Sequence, residues 1–409
     1  MKDYLNFFTK NKRIVSFGLS LTFFSSFGQT FLISLYVPAL IKEFGLTNSS
    51  FGMVYGGVTI LSSITLAYVG KHIDRRSLRN YTLTAVLLLL ISCLVIAFSF
   101  NIIVVLIGLW GLRFTGQSWF SHISQASMSK MFERSRGKAL SLSVMGYPLG
   151  EAIFPVIIAF LIGSIGWRKS MIVNASFIGL ILLPFIFFAL NKKEFKENPP
   201  GNSEEKEKDD FSRRKLFKDF SFYILSFNAT ILPALVTGLF FYQVQLANEK
   251  GWSTDWLAAC FIAYAGGRTL SSFLSGKLID NHSAVNLLPF HLIPFLLGLL
   301  ALTFFRHPFV APFYLLLTGI SMGINSPLKS SLLAEVYGTK YLGSIRSLLS
   351  MIAVIGTAVS PVVFGLLLDR GIGFDFIAGL SATLVLLVIL VNFSVNQSLG
   401  YQKSSAVMS

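Results

Sequence analysis

Charge is scarce in this sequence. Only 13% of its 409 residues are Asp, Glu, Lys or Arg, about half the ~25% of an ordinary soluble domain. Cysteine is scarcer still. Cys93 and Cys260 each sit inside an apolar run, which excludes a disulfide framework and leaves no thiolate pair for a metal. Signatures of demanding chemistry are missing too. There is no HExxH and no G-x-x-x-x-G-K-[ST], so neither a zinc hydrolase nor an ATP-driven pump is written in the chain. No carboxylates are paired inside the apolar runs and no Ser/His/Asp set stands out, so an intramembrane enzyme would lack its reactive groups. No cofactor and no metal are expected. The start, MKDYLNFFTKNKR, leads into a long apolar stretch without a small-residue cleavage pattern, and no removable signal peptide is expected.

Hydrophobic length is what the chain has in abundance. Hydrophobic residues make up 53% of it, with 40 phenylalanines. Runs of roughly 20 apolar residues recur, each long enough to cross a ~30 Å hydrocarbon core as a helix. The weaker alternating segments of a membrane β-barrel are not seen. Twelve spans are expected, near 14–40, 50–70, 79–99, 102–126, 139–163, 169–190, 219–246, 254–276, 284–304, 309–334, 345–367 and 373–394. One long polar stretch interrupts them, NKKEFKENPPGNSEEKEKDDFSRRKLFK at 191–218, too charged to bury a core of its own. The expected organisation is a six-helix bundle over 1–190, a cytoplasmic linker over 191–218 and a second six-helix bundle over 219–409. The fold class is therefore an all-α, multi-pass membrane protein.

The net charge of +15 does not point to nucleic acid, because the basic residues lie in the short stretches between spans rather than on one face. They set orientation instead. With both termini in the cytoplasm, 25 of the 34 Lys and Arg fall in cytoplasmic segments, as the positive-inside rule requires. The cell membrane and a monomer in the lipid bilayer are the expected setting.

The chain also repeats itself. A shift of 206 residues brings Tyr36 onto Tyr242, Glu43 onto Glu249 and Gly45 onto Gly251. The same shift lays Gly70, Lys71, Ile73 and Asp74 on Gly276, Lys277, Ile279 and Asp280. Chance matching of apolar segments explains single Ile or Gly matches, but poorly explains GK-I-D in the same loop of each half. Two parallel halves of this kind are a repeat architecture of secondary transporters.

With twelve spans, a central polar loop and a repeated loop signature, the chain resembles the major facilitator superfamily, over nearly its whole length. That family's loop between its second and third helices typically reads G-x-x-x-D-R-x-G-R-R; here it is GKHIDRRSLR, without the second glycine. A narrower resemblance is to the monocarboxylate and oxalate/formate porters. It rests on RFTGQSWFSHISQASMSKMFERSRGKALSLSVMGYPLGEAIFP, where Arg113, Gly116, Gln117, Phe132, Arg136, Gly137 and Ala139 fit. AGGR ending at Arg268, followed by SGKLID, looks like that group's anion-binding arginine. Tyr264 replaces the acidic residue often found four positions earlier, and the eleventh span has no lysine at 345–367, which disfavours a dicarboxylate. The resemblance implies a secondary transporter working by alternating access, with a small organic anion, foremost a monocarboxylate, as substrate and proton symport as coupling. The alternative is efflux of amphipathic or drug-like compounds, although the glycine-proline pattern of many drug/proton antiporters is absent.

Three ionised groups fall near mid-depth when spans are measured at ~1.5 Å per residue: Arg113, Glu151 and Arg268. A charge there costs roughly 2.5–3.5 kcal/mol and must face a cavity or a partner. Arg268 offers a planar fork for a carboxylate; a buried ion pair is the structural alternative. Arg113 and Glu151 form either a proton-coupling switch or a permanent salt bridge, the two readings being equal at this point. His122 is a candidate proton relay, against the plainer reading of a hydrogen-bonded core histidine. Gln29 and Tyr36, seven apart in the first span and so on one face of a regular helix, join Gln117 and Tyr147 as candidate cavity-lining groups. Lys329 and Glu335 read as gate or snorkelling residues. Asp74, Arg75, Arg136, Asp280 and Arg346 are the candidates that the resemblance implies for a cytoplasmic gate.

Overall fold

The computed structural model describes residues 2–74, 76–190, 216, 219–338 and 342–407. All regular structure among them is helical. Among the described residues nine helices are long and apolar enough to cross a membrane, including Leu78–Ala97, Trp167–Ala189, Thr254–His282 and Phe374–Ser394. The remaining expected spans are present in other forms: the first is segmented, the ninth is the short apolar helix Ile293–Phe304, and the tenth is Val310–Tyr337. Large apolar side chains such as Phe160, Leu180, Phe188, Phe273 and Phe304 are exposed. Only a lipid surface makes that arrangement favourable on so many helices. The expected linker over 191–218 lies outside the described residues except for Leu216.

The chain divides into two compact units, one holding the residues up to Leu46 and those from Gly57 to the central polar stretch, the other holding Thr47–Gly56 and the remainder. The second span, Asn48–Val69, is thus shared. Its first nine residues, Asn48–Gly56, pack as part of the second unit for visible reasons. The Asp369 carboxylate accepts from the backbone N–H groups of Asn48 at 3.0 Å and Ser49 at 2.8 Å. The Tyr242 hydroxyl bonds the Asn48 carbonyl at 2.8 Å. A Cβ at Gly56 would stand 2.4 Å from the Ala358 carbonyl oxygen, so only glycine permits this approach.

Within the first unit the first, fourth and sixth spans depart from regular helix. The first runs Lys12–Phe24, tightens into a 3₁₀ turn over Ser25–Gly28, passes through extended Gln29 (φ −84°, ψ 150°), then resumes over Thr30–Ile33 and Val37–Phe44. The fourth runs Ile102–Leu112, widens into a π-helix over Arg113–Trp119 and returns to α over Phe120–Met131. The sixth carries its own π segment, Ile178–Leu182, just before Pro184; proline lacks the N–H that would continue the α ladder.

In the second unit, the eighth and tenth spans press backbone on backbone. Added Cβ atoms would stand 2.6 Å from the Leu316 oxygen at Gly267, 2.2 Å from the Tyr264 oxygen at Gly319 and 2.3 Å from the Arg268 oxygen at Gly323. Small residues at such contacts are how membrane helices gain packing without a hydrophobic drive. The repeat seen in the sequence has structural equivalents. Tyr36 and Tyr242 each precede a short terminal helix, Val37–Phe44 and Gln243–Lys250, and left-handed Gly45 (φ 62°) and Gly251 (φ 74°) end them.

Candidate functional site

The break in the first span creates the site. When a helix changes geometry at Ser25–Gln29, the Gly28 carbonyl loses its partner four residues on, and a backbone oxygen in a membrane interior must find another donor. Arg113 supplies it: its Nη1 donates to the Gly28 oxygen at 3.0 Å and lies 3.5 Å from the Thr30 hydroxyl. The side chain is 1% exposed, the largest fully buried one among the described residues. Contact is close because both backbones lack side chains there. A Cβ at Gly28 would meet the Leu112 oxygen at 2.2 Å, and one at Gly116 would meet the Gly28 nitrogen at 2.5 Å. The π segment begins at Arg113 itself, so the widened turn and the buried guanidinium occupy the same place.

The fifth span, Gly146–Ile165, closes on the same break. The Thr22 hydroxyl donates to the Ser143 carbonyl. Cβ atoms at Gly146 and Gly150 would stand 2.1 Å from Thr22 Oγ1 and 2.0 Å from Ser26 Oγ. Glu151, the next residue, is buried at 5% exposure. Arg113 and Glu151 therefore both border the Ser25–Gly28 turn, where rings of Phe23 and Phe27 from the first span meet Phe154 of the fifth, which in turn packs on Phe177 of the sixth.

The other candidates take distinct places. Gln29 and Gln117 are half-buried at the two sides of the Gly28–Gly116 contact. Tyr147 donates to the Ser121 hydroxyl at 2.7 Å, which bonds the Gln117 carbonyl at 2.8 Å. Tyr36 does not share a regular helical face with Gln29, because the span is broken between them. Its hydroxyl is turned toward the sixth span, 2.8 Å from Ser170 Oγ and 2.9 Å from Asn174 Nδ2. His122 Nε2 is 3.1 Å from the Gly70 carbonyl and anchors the turn Gly70–Asp74.

In the second unit Arg268 is half-buried at the closest approach of the eighth and tenth spans. The glycines before it divide their work: Gly267 serves that helix contact, while Gly266 opens onto free space. Glu335 accepts from the N–H groups of Ala284 at 2.8 Å and Val285 at 3.4 Å, capping the turn that opens the ninth span. Of the gate candidates, Arg136 is exposed with its Nε 3.2 Å from the Ser129 carbonyl, and Asp280 and Arg346 are exposed. Arg75 and the Asp74 side chain lie outside the described residues. Among the described residues no cluster of His, Cys, Asp and Glu could hold a metal.

Several buried polar groups escaped sequence reasoning. Lys250 is side-chain-buried and bonds the Leu302 and Phe305 carbonyls and Asp375. His291 is 3% exposed, and Asn228 and Asn392 exchange two hydrogen bonds of 2.8 Å. A lone histidine or asparagine inside an apolar run was the signal available for these.

The model of the Major Facilitator Superfamily matches residues 19–268 and 245–405. A curated relative, the probable sulfoacetate transporter SauU of Cupriavidus necator, is 22% identical over 416 residues, covering 95% of this chain and 94% of its own. Among solved structures, a bacterial homologue of the human lysosomal transporter Spinster aligns with a TM-score of 0.67 at 16% identity, covering 95% of this chain and 96% of that one. The nucleoside transporter NupG aligns with a TM-score of 0.73 at 12% identity, covering 94% and 98%. The chain is a multi-pass membrane transporter and not an enzyme, and it belongs to the Major Facilitator Superfamily.

Proposed function

We propose that this transporter carries a small organic anion bearing a carboxylate or a sulfonate, by alternating access, with Arg113 and Arg268 as its fixed positive charges. The carrying observation is the burial of Arg113, 1% exposed, against the break in the first span. A serine or glutamine could satisfy a stray carbonyl without the roughly 2.5–3.5 kcal/mol that a mid-membrane charge costs. A permanent cation with a five-donor fork is useful where an anion must be drawn out of water. The relative named as a sulfoacetate transporter supports the same class, since sulfoacetate joins a carboxylate and a sulfonate on two carbons. Monocarboxylates remain within the proposal. Proton coupling is assigned to Glu151, whose protonation would change the charge beside the Ser25–Gly28 turn. The termini are placed in the cytoplasm by the bias of 25 among 34 basic residues, and the protein in the cell membrane.

Binding tests this reading. Thermal stabilisation of the purified protein would be compared for acetate, lactate, sulfoacetate, oxalate, uridine and a cationic dye, with wild type and Arg268→Ala. Stabilisation by carboxylates or sulfoacetate that weakens at least about tenfold in Arg268→Ala supports it. Stabilisation by uridine or the dye alone sinks it, the dye result favouring efflux.

A further inference from the structure

The core of the second unit holds a cavity that the function proposed above does not use. It lies among the seventh, tenth and eleventh spans and the turn before the ninth, walled mainly by leucines such as Leu225, Leu328 and Leu349. Its polar lining is Asn228, His291, Asn325 and Lys329. About 20 Å³ is open to the centres of water-sized groups, somewhat more than one water needs. The cavity thus admits the oxygens of one oxyanion head, not a whole amphipathic molecule.

Its charge is one-sided. Lys329 is half-buried and has no hydrogen-bond or ion-pair partner among the described residues. No carboxylate lines the cavity. Glu335, on the same span, is directed to the Ala284 and Val285 N–H groups. Asp219, at the start of the seventh span, accepts from Ser221 N–H and the Tyr337 hydroxyl. The nearby charge that acts on Lys329 is Arg346, at the start of the eleventh span, and it is of the same sign. A half-buried ammonium facing a leucine wall with a second cation beside it calls for an anion.

His291 adds a proton to the picture. Its Nδ1 is 2.6 Å from the Leu288 carbonyl. A carbonyl only accepts, so Nδ1 carries the hydrogen, and in the neutral ring Nε2 is bare. Neutral His291 therefore offers an incoming anion a lone pair. Protonated at Nε2 it offers a donor instead. Asn228 has both amide hydrogens engaged, by Ile224 and Asn392, and forms wall rather than ligand.

We infer that Lys329, Asn325 and protonated His291 form an oxyanion subsite in the second unit, taking the carboxylate or sulfonate of the transported anion together with one proton. The inference rests on the anion reading above but not on Arg268. It places a further proton at His291, separate from the coupling assigned to Glu151. The groups that titrate or carry charge around it are His291 and Lys329 in the cavity, Arg346 beside it, and the Glu335 and Asp219 carboxylates, which face other partners; His291 takes up its proton as the anion binds.

The test measures the affinity of acetate, methanesulfonate and sulfoacetate by thermal stabilisation, at acidic and neutral pH. It uses the full chain as wild type, Lys329→Met, Lys329→Arg, His291→Gln and Arg268→Ala. Wild-type affinity should rise on acidification by up to about tenfold per pH unit, the slope for one proton taken up. Lys329→Met should lose at least about tenfold in affinity and Lys329→Arg should retain binding. His291→Gln should flatten the pH dependence. Wild-type affinity in Lys329→Met, or an unchanged pH slope in His291→Gln, overturns the inference. Loss in Arg268→Ala but not in Lys329→Met leaves the proposed function standing and removes this subsite; the reverse keeps the subsite and removes Arg268. Stabilisation by phosphatidylglycerol vesicles alone, abolished by Lys329→Met, reassigns the cavity to a lipid phosphate and overturns its link to transport.

Discussion

Both units must close the same ends of their helices, and they do it with different residues. In the first unit a single side chain binds three spans. Arg168, at the start of the sixth span, donates to the Ala97 and Ser99 carbonyls at 2.9 and 2.8 Å and to Glu43 at 3.1 Å. It also stacks 4.3 Å over the Trp167 ring. In the second unit the work is divided. Lys250, ending the seventh span, reaches the Leu302 and Phe305 carbonyls and Asp375. Glu249 accepts twice from the Phe374 N–H, at 2.7 and 3.0 Å, and Arg306 donates to Asp375 at 2.7 Å. The physical task is shared: a cation on the carbonyl end of the third or ninth span, where the helix dipole is negative, and a carboxylate on or beside it. The cation has changed spans between the halves. The repeat preserves an electrostatic job more faithfully than it preserves residues.

Burial separates the two arrangements, and substitutions should read that difference. The Lys250 side chain is 1% exposed and Asp375 35%, against 36% for Arg168 and 45% for Glu43. The largest loss is expected for Asp375→Asn, which leaves a buried ammonium with carbonyls alone. A fully buried pair would cost about 3–5 kcal/mol; with Asp375 partly in solvent, about 2–3 kcal/mol is expected in thermal unfolding of the purified protein. Adding Lys250→Met should recover part of it, a coupling that a double-mutant cycle measures. Arg168→Met should cost about 1 kcal/mol, the scale of a charged cap that water can partly replace. Glu43→Gln should cost under about 0.5 kcal/mol, as an exposed pair does, and should shrink further in high salt. Equal effects at Asp375 and Glu43 would remove burial as the difference between the halves.

The wet ends of the chain were partly legible before the fold was known. Glu43, Gly45 and their counterparts Glu249 and Gly251 appeared in the repeat because both members kept their identity. Arg168 and Lys250 did not, because the clamp uses two unrelated positions. Lys250 stands in a short stretch between apolar runs, where a solvated loop cation would be expected, yet it is buried among carbonyls. The interior behaved likewise. Hydropathy places helices, but it carries no record of hydrogen-bond register, so the 3₁₀ turn at Ser25–Gly28 and the π segment at Arg113–Trp119 were invisible. That is why a regular helix was assumed from Gln29 to Tyr36, and why the Gly28 carbonyl was not foreseen as a partner of Arg113. Arg113, Glu151 and Arg268 were found because a charge in an apolar run is conspicuous. Lys329 was found for the same reason, but its leucine-walled cavity depends on how four segments pack.

The unequal division of labour extends to the cations in the spans: Arg113 is fully buried in the first unit, while Arg268 and Lys329 are half-buried in the second. Transport itself tests what they are for. Uptake of labelled sulfoacetate, lactate and uridine into proteoliposomes would be followed with and without an inward proton gradient, for wild type and Arg113→Gln, with Arg113→Lys as a control for charge. The expected result is gradient-stimulated uptake of an anion, lost in Arg113→Gln and partly kept in Arg113→Lys, with uridine excluded. Uptake of uridine but no anion, or undiminished anion uptake in Arg113→Gln, would contradict an anion transporter built around buried positive charge.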